Sequence, residues 1–175
     1  MATVYGSTVV DAAPEKVWEL VRDFNALPKW FPFIASSRLR EGDSPDKVGA
    51  ERTLEARNGG IVQERLLELS DPEMRLTFLT FAGADLTLNY HGHMRVRPIT
   101  RGGGSFFEFY GVFDAANGDI ATASRWLQDA IFKPVFTQFE ALFGRKALDR
   151  RCLTTESIPE GDGFYDLARE EPKHW

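Results

Sequence analysis

Hydrophobic and polar residues alternate along most of the middle of the chain, and this pattern predicts a series of β-strands. Glycine, proline and acidic residues separate the alternating runs. Asn58-Gly59-Gly60 is a strong hairpin signal because both glycines accept positive φ. The predicted strands cover residues 35–41, 48–57, 61–69, 74–81, 88–97 and 105–113, after a first strand that ends at Asp11.

Helical periodicity replaces this alternation in two places. Pro14 suits the first turn of a helix, and Val17, Trp18 and Val21 then recur at helical spacing. A second helical pattern runs from about residue 120 to residue 149, and Pro134 must kink or divide it because proline removes a backbone donor. Two aromatic turns around Phe24 and Trp30 follow the first helix, and the predicted order is one strand, two short helices, six strands and a long C-terminal helix.

Residues 8–34 read TVVDAAPEKVWELVRDFNALPKWFPFI, and this pattern with the order of elements resembles the START-like superfamily. The resemblance is closest to the bacterial polyketide cyclase/dehydrase branch, also called SRPBCC. It implies an α+β helix-grip fold, in which a curved antiparallel sheet of about seven strands wraps round the long C-terminal helix and encloses a cavity. We expect this domain to cover residues 1–149. The C-terminal tail, residues 150–175, carries aromatic residues, and we expect it to dock on the domain.

Composition narrows the class of partner. The net charge of −5, with scattered arginines, argues against a nucleic-acid binder. The single cysteine excludes an internal disulfide, and no apolar stretch is long enough for stable membrane insertion. We therefore expect a cytoplasmic protein, and a homodimer is compatible with the pattern because a second copy could cover an apolar sheet face as well as the tail could. Fourteen phenylalanines predict an aromatic-lined cavity or, equally, the filling of a curved sheet.

Alternation points Tyr90 toward the interior, together with Met94 and Val96. Its hydroxyl would then either face an apolar cavity or bond to a backbone carbonyl. Arg52 is in phase with Leu54, so we expect its side chain to point inward and to pair with a carboxylate there. Such a pair would be either structural or catalytic.

The resemblance supplies two further candidates, Glu64 and Glu108, because the matching glutamates of the plant abscisic-acid receptors face the ligand cavity. Hydrophobicity alone predicts the opposite for Glu108, since Phe107 and Phe109 form the more apolar face of that strand. His91 and His93 share a strand face with arginines, so we expect them on the solvated outer surface and predict no metal site.

The resemblance implies a protein that binds a hydrophobic small molecule in an internal cavity and promotes its cyclisation or dehydration without a cofactor. Such an enzyme would be a cyclase/dehydratase-type lyase or isomerase of natural-product biosynthesis. Glu64 would be the general acid or base, Tyr90 and Arg52 would stabilise a developing enolate, and Glu108 would be the reserve candidate. The alternative is a non-catalytic carrier or sensor of a hydrophobic ligand. The predicted pocket lining comprises Trp30, Phe33, Leu54, Val62, Phe78, Leu88, Tyr110, Ile131, Val135 and Gln138.

Overall fold

The computed structural model describes residues 1–146, which form one antiparallel sheet and a C-terminal helical layer. The seven strands lie in the order β1-β7-β6-β5-β4-β3-β2. The strands are β1 (Ala2–Val10), β2 (Ile34–Leu39), β3 (Glu51–Ala56), β4 (Ile61–Ser70), β5 (Arg75–Ala82), β6 (Thr87–Pro98) and β7 (Ser105–Ala115). The helices are α1 (Pro14–Arg22), α2 (Ile120–Trp126) and α3 (Lys133–Phe143), with a 3₁₀ turn at Leu27–Lys29 and a π-helical turn at Leu127–Phe132. The predicted α+β helix-grip fold, a curved sheet with a long C-terminal helix, is confirmed.

The core lies between one face of the sheet and the C-terminal helical layer. We call this face of the sheet the inner face. Along β7, buried and half-buried residues alternate, so that Phe107 and Phe109 point inward. Phe107 stacks on Phe139 with ring centroids 4.2 Å apart, and Phe109 stacks on Phe132 at 4.4 Å. These aromatic pairs fix the helix against the sheet.

Helix α1 closes one end of the core. Pro14 occupies its first turn, as predicted, and Val17, Trp18 and Val21 are buried. The indole N–H of Trp18 donates to Asp71 at 2.8 Å, and this bond ties the helix to the turn between β4 and β5. The spacing of apolar residues in this segment therefore predicted both its helix and its buried face.

The C-terminal helix runs without a break through Lys133, where the sequence predicted that Pro134 would kink or divide it. What changes just before Pro134 is the hydrogen-bond pattern, from a π-helical turn at Leu127–Phe132 to the α-helix α3. The helix ends at Phe143 because Gly144 follows with a φ of 77°, so the predicted end at residue 149 is wrong.

Strand β6 contains a bulge that sequence alternation could not show. Its register with β7 shifts between Leu88 and His91, and Asn89 adopts a φ of 50°. Tyr90 is buried as predicted, but Leu88 is 53% exposed. The prediction that Leu88 lines an internal pocket is therefore wrong, because the extra residue turns its side chain outward.

The expected docking of the tail, residues 150–175, lies outside the described residues. Within residues 1–146, none of the helices has both the length and the apolar composition needed to cross a membrane.

Candidate functional site

Four polar side chains form a row across four neighbouring strands of the inner face. Arg52 on β3 pairs in register with Glu64 on β4, Glu64 pairs with Thr80 on β5, and Thr80 pairs with Tyr90 on β6. All four residues are buried. We call this set the polar row. Because buried polar groups are costly unless they are hydrogen-bonded, the partners of each member determine what the row can do.

Arg52 and Glu64 form a buried ion pair. The guanidinium Nε and Nη2 atoms donate to Glu64 Oε2 at 2.9 and 2.6 Å. Nη1 donates to the backbone carbonyl of Phe24, and the guanidinium carbon lies 3.8 Å from the centre of the Phe24 ring. Burial lowers the pKa of Arg52, and the carboxylate of Glu64 opposes that shift. The pair thus anchors β3 and β4 to the segment after α1.

Thr80 engages the second oxygen of the same carboxylate. Its hydroxyl donates to Glu64 Oε1 at 3.2 Å, so both carboxylate oxygens accept hydrogen bonds from protein groups. Oε1 has a neutral donor at a long distance, whereas Oε2 has two close cationic donors. Oε1 is therefore the oxygen better placed to accept a further hydrogen bond or a proton.

Tyr90 ends the row with an unusual hydroxyl. Within residues 1–146 this buried oxygen has no hydrogen-bond partner. Burial raises the pKa of Tyr90, and the negative charge of Glu64 raises it further, so the hydroxyl remains a neutral proton donor at physiological pH. Among the described residues, no backbone carbonyl accepts a hydrogen bond from Tyr90. An unpaired donor on an apolar wall is the feature expected where a ligand oxygen binds.

Two glycines make room for the rings at this end of the row. A Cβ atom on Gly111 would lie 2.5 Å from the Tyr90 ring, and one on Gly92 would lie 2.2 Å from the ring of Phe78. The two rings therefore rest directly on the sheet backbone. Both rings thus lie close against the inner face, and Tyr90 forms part of the surface that faces the C-terminal helix.

Trp30 presents a second buried donor without a partner. Its indole Nε1 makes no hydrogen bond to the rest of the described chain, although the residue is only 2% exposed. The ring packs edge-on against Phe139 at 5.0 Å and against Phe31 at 5.7 Å. Trp30, one of the predicted lining residues, thus faces the C-terminal helix from the 3₁₀ turn that follows α1.

The other predicted lining residues differ in how deeply their side chains are buried. Those that are buried are Leu54, Phe78 and Val135. Those that are half-buried are Phe33, Val62, Ile131 and Gln138. Their roles in ligand binding stay predictions, and between the sheet and the helix the phenylalanine stacks already occupy part of the predicted space.

Glu108 and Tyr110 lie on the outer face of the sheet, and their predicted places in the pocket are wrong. Glu108 accepts a hydrogen bond from Tyr5 and lies 3.4 Å from Arg97. Tyr110 stacks on His93 with ring centroids 4.4 Å apart. The inward position of Glu108 came from the resemblance. The hydrophobic pattern of β7 predicted the observed orientation, because burying its phenylalanines sends the alternate residues outward.

His91 and His93 also lie on the outer face. The Nδ1 atom of His93 is 3.0 Å from the hydroxyl of Thr77, and Nδ1 of His91 is 2.9 Å from the backbone oxygen of Asn89. In the part of the chain that the structure describes, no three histidine, cysteine, aspartate or glutamate residues come together as metal ligands would.

Sequence reasoning overlooked Thr80 and the carbonyl of Phe24. Thr80 could have been found, because it is two residues after inward-facing Phe78 on the same strand. The carbonyl carries no sequence signal. Its contact with Arg52 depends on how the chain folds back after α1.

Comparison with known proteins agrees with this architecture. The family described as "Polyketide cyclase / dehydrase and lipid transport" matches residues 1–145. The protein XoxI of Bacillus cereus is 29% identical, with a TM-score of 0.72 over 82% of this chain and 96% of that one. The major latex-like protein 151 of Panax ginseng shares the fold at 17% identity, with a TM-score of 0.66 over 81% of this chain and 97% of that one.

A further fold relative is the di-domain ARO/CYC protein BexL from the BE-7585A biosynthetic pathway. It is 18% identical, with a TM-score of 0.63, and the match covers 83% of this chain and 46% of that one. The family match spans nearly all of the described residues, and the chain belongs to the polyketide cyclase/dehydrase and lipid transport family.

Proposed function

We propose that this protein binds a hydrophobic small molecule between the inner face of the sheet and the C-terminal helix, and promotes its cyclisation or dehydration without a cofactor. The observation that carries the proposal is the hydroxyl of Tyr90, which has no hydrogen-bond partner within residues 1–146 and is buried in the same row as the carboxylate of Glu64. Membership of a family described by cyclase, dehydrase and lipid-transport activities supports it. We place the protein in the cytoplasm, and homodimer formation remains a prediction.

The polar row has groups suited to enolate chemistry. Tyr90 and Glu64 stand two strands apart, so their backbones are separated by roughly 10 Å. A ligand ketone between them would receive a hydrogen bond from Tyr90 at its oxygen. Glu64 Oε1 would accept a proton from the adjacent carbon, and the resulting enolate oxygen would remain bonded to Tyr90.

Ring closure follows if the enolate carbon attacks a second carbonyl of the same ligand. The new C–C bond forms as the attacked C=O becomes an alkoxide, and that oxygen takes back the proton held by Glu64. Loss of the resulting hydroxyl with a neighbouring hydrogen, as water, would complete the dehydration. Acid–base catalysis of this kind contributes typically about 10²–10⁴-fold to rate.

Arg52 has a positioning role in this scheme. Its two bonds to Oε2 hold the carboxylate, and its bond to the Phe24 carbonyl holds the guanidinium in turn. Rigid placement of a base beside its substrate supplies part of the rate by orientation alone.

The second candidate function is a non-catalytic carrier, and one observation favours it. Both oxygens of Glu64 already accept hydrogen bonds from protein groups, which is also what a purely structural buried ion pair requires. Tyr90 would then orient the ligand without any transfer of a proton. Binding and proton exchange must therefore be measured separately.

Binding is tested with a ketone and a hydrocarbon of similar shape, 2-acetonaphthone and 2-ethylnaphthalene. Tyr90→Phe removes only the hydroxyl, so we expect the ketone affinity to fall about 2- to 13-fold, the equivalent of one neutral hydrogen bond. The hydrocarbon affinity should not change. Equal affinity of wild type and variant for the ketone would show that Tyr90 does not contact the ligand oxygen.

Catalysis is tested by deuterium exchange at the methyl group of 2-acetonaphthone in D₂O, because exchange reports proton removal next to the carbonyl. We expect wild type to accelerate the exchange and Glu64→Gln to lose the acceleration. The double variant Arg52→Met/Glu64→Gln removes both charges and serves as the folding control, since it leaves no unpaired buried charge. Ketone binding without accelerated exchange in wild type would establish the carrier alternative.

A further inference from the structure

The outer face of the sheet holds a cleft that the polar row does not use. It is open to solvent, has a volume of about 780 Å³, and lies over strands β4 to β7. Its walls include Glu68, Arg75, Thr77, His93, Arg95 and Tyr110. We call it the outer cleft. Its volume is within the range of small-molecule sites.

Two arginines face each other across this cleft. Arg75 on β5 and Arg95 on β6 are register partners, so two positive charges stand directly opposite one another. Like charges in this position destabilise a sheet unless an anion lies between them. In both residues the Nε atom is buried and has no hydrogen-bond partner in the described part of the chain. Arg75 is not a free cation, because its Nη2 atom donates to Glu68 on the cleft wall at 2.7 Å. The groups without a partner are therefore the two Nε–H donors, one on each of two neighbouring strands.

The carboxylate of Glu73 now lies near both guanidinium groups, but it bonds them poorly. It is 3.2 Å from Arg75 Nε, without the alignment of a hydrogen bond, and 3.9 Å from Arg95 Nη2. Glu73 stands in the turn between β4 and β5, and its side chain is half exposed. A half-exposed carboxylate that approaches both guanidinium groups without a hydrogen bond to either Nε atom marks the place where a free carboxylate or phosphate would bind.

Beside the arginines, an aromatic pair shapes the floor of the outer cleft. His93 stacks on Tyr110 with nearly parallel rings, and the hydroxyl of Thr77 holds Nδ1 of His93 at 3.0 Å. Burial lowers the pKa of His93, and the charge of His91 lowers it further. His93 therefore contributes a neutral ring at physiological pH. The positive charge of the cleft comes from its arginines, and the carboxylates of Glu68 and Glu108 on the lining oppose it.

We propose that the outer cleft binds a small-molecule oxyanion, a carboxylate or a phosphate group, which bridges Arg75 and Arg95 in place of Glu73. Arginine suits this role because its planar fork matches both kinds of anion. The site is separate from the polar row and does not depend on the function proposed for it.

The test is an NMR titration of the ¹⁵N-labelled full chain with sodium benzoate and with inorganic phosphate, at constant ionic strength. We expect saturable shifts of the Nε–H signals of Arg75 and Arg95 with at least one of the two anions. Saturation by benzoate alone identifies a carboxylate ligand, and saturation by phosphate alone identifies a phosphate ligand. Failure of both to saturate overturns the proposal.

Three variants assign the binding to these groups. Arg95→Gln should weaken the anion about tenfold or more, the equivalent of a charge-assisted hydrogen bond, and Glu73→Gln should strengthen it because the competing carboxylate is gone. Arg65→Gln, which removes an arginine of the same face outside the cleft, should leave affinity unchanged. Equal weakening by Arg65→Gln and Arg95→Gln would mean unspecific attraction to surface charge. Tyr90→Phe should not alter anion binding, so failure of the polar-row proposal and failure of this one are distinguishable.

Discussion

The chain contains two arginine–glutamate pairs of nearly identical geometry that differ in burial. On the inner face, Arg52 donates to one oxygen of Glu64 from Nε at 2.9 Å and from Nη2 at 2.6 Å. On the outer face, Arg65 donates to one oxygen of Glu51 from the same two atoms at the same two distances. Both pairs join β3 to β4 in adjacent rows. Substitution of each arginine by methionine therefore isolates the effect of burial.

We expect Arg52→Met to be far more destabilising than Arg65→Met. The side chain of Glu64 is 8% exposed, so loss of its partner leaves a buried charge, which costs about 3–5 kcal/mol. Arg65 is 45% exposed and Glu51 keeps Arg40 at 2.8 Å, so the outer substitution should cost about 0.2–1 kcal/mol. Total stabilities of about 5–15 kcal/mol make the first change a large fraction of the whole.

Urea denaturation at pH 7, followed by tryptophan fluorescence and by circular dichroism, measures both free energies of unfolding. The double variant Arg52→Met/Glu64→Leu removes both charges and should recover most of the stability lost in Arg52→Met, because apolar replacement of a buried pair is often neutral. The reasoning fails if Arg52→Met costs no more than Arg65→Met, or if the double variant is as unstable as the sum of its single changes.

Two further predictions concern His93 and the glycine under Phe78. The pKa of His93 is lower in the folded chain than its ordinary value of about 6.5, so the unfolded chain binds the proton first and stability should fall as the pH drops below about 6.5. The variant His93→Phe should therefore lose less stability than wild type between pH 7.5 and pH 5. Equal decreases of the urea midpoint in wild type and variant would contradict the assignment of this pH dependence to His93. Gly92→Ala should cost about 1–3 kcal/mol by overpacking against Phe78, and less in a Phe78→Leu background. An equal cost in both backgrounds would place the strain elsewhere.

The fold was predictable because its signals are local. Alternation marked the strands, and Asn58-Gly59-Gly60 marked the turn that joins β3 to β4. Phase along a strand also placed Arg52 and Tyr90 on the inner face. These inferences depend only on neighbours in sequence, which is why they held.

The remaining errors come from features that local patterns do not contain. The bulge at Asn89 turned the side chain of Leu88 from the predicted inner face to the outer one. The only sequence signal for this bulge is the tolerance of asparagine for positive φ. The inward placement of Glu108 came from likeness to distant proteins, whereas the apolar face of β7 predicted the outward one. That the Tyr90 hydroxyl finds no partner in the described part of the chain depends on the packing of several strands at once, so the sequence alone could not predict it.

The π-helical turn at Leu127–Phe132 lets the C-terminal helix contain one residue more than a regular α-helix with the same buried face would. Buried positions along it are spaced by four, five, three and four residues; they are Ala123, Leu127, Phe132, Val135 and Phe139. Five residues of regular α-helix would rotate a side chain about 140° from its starting direction, whereas four would rotate it about 40°. The wider turn absorbs one additional residue and keeps Leu127 and Phe132 on the same face. A relative with one residue fewer here can present the same buried face from an uninterrupted α-helix, so a single gap in an alignment belongs within residues 128–131.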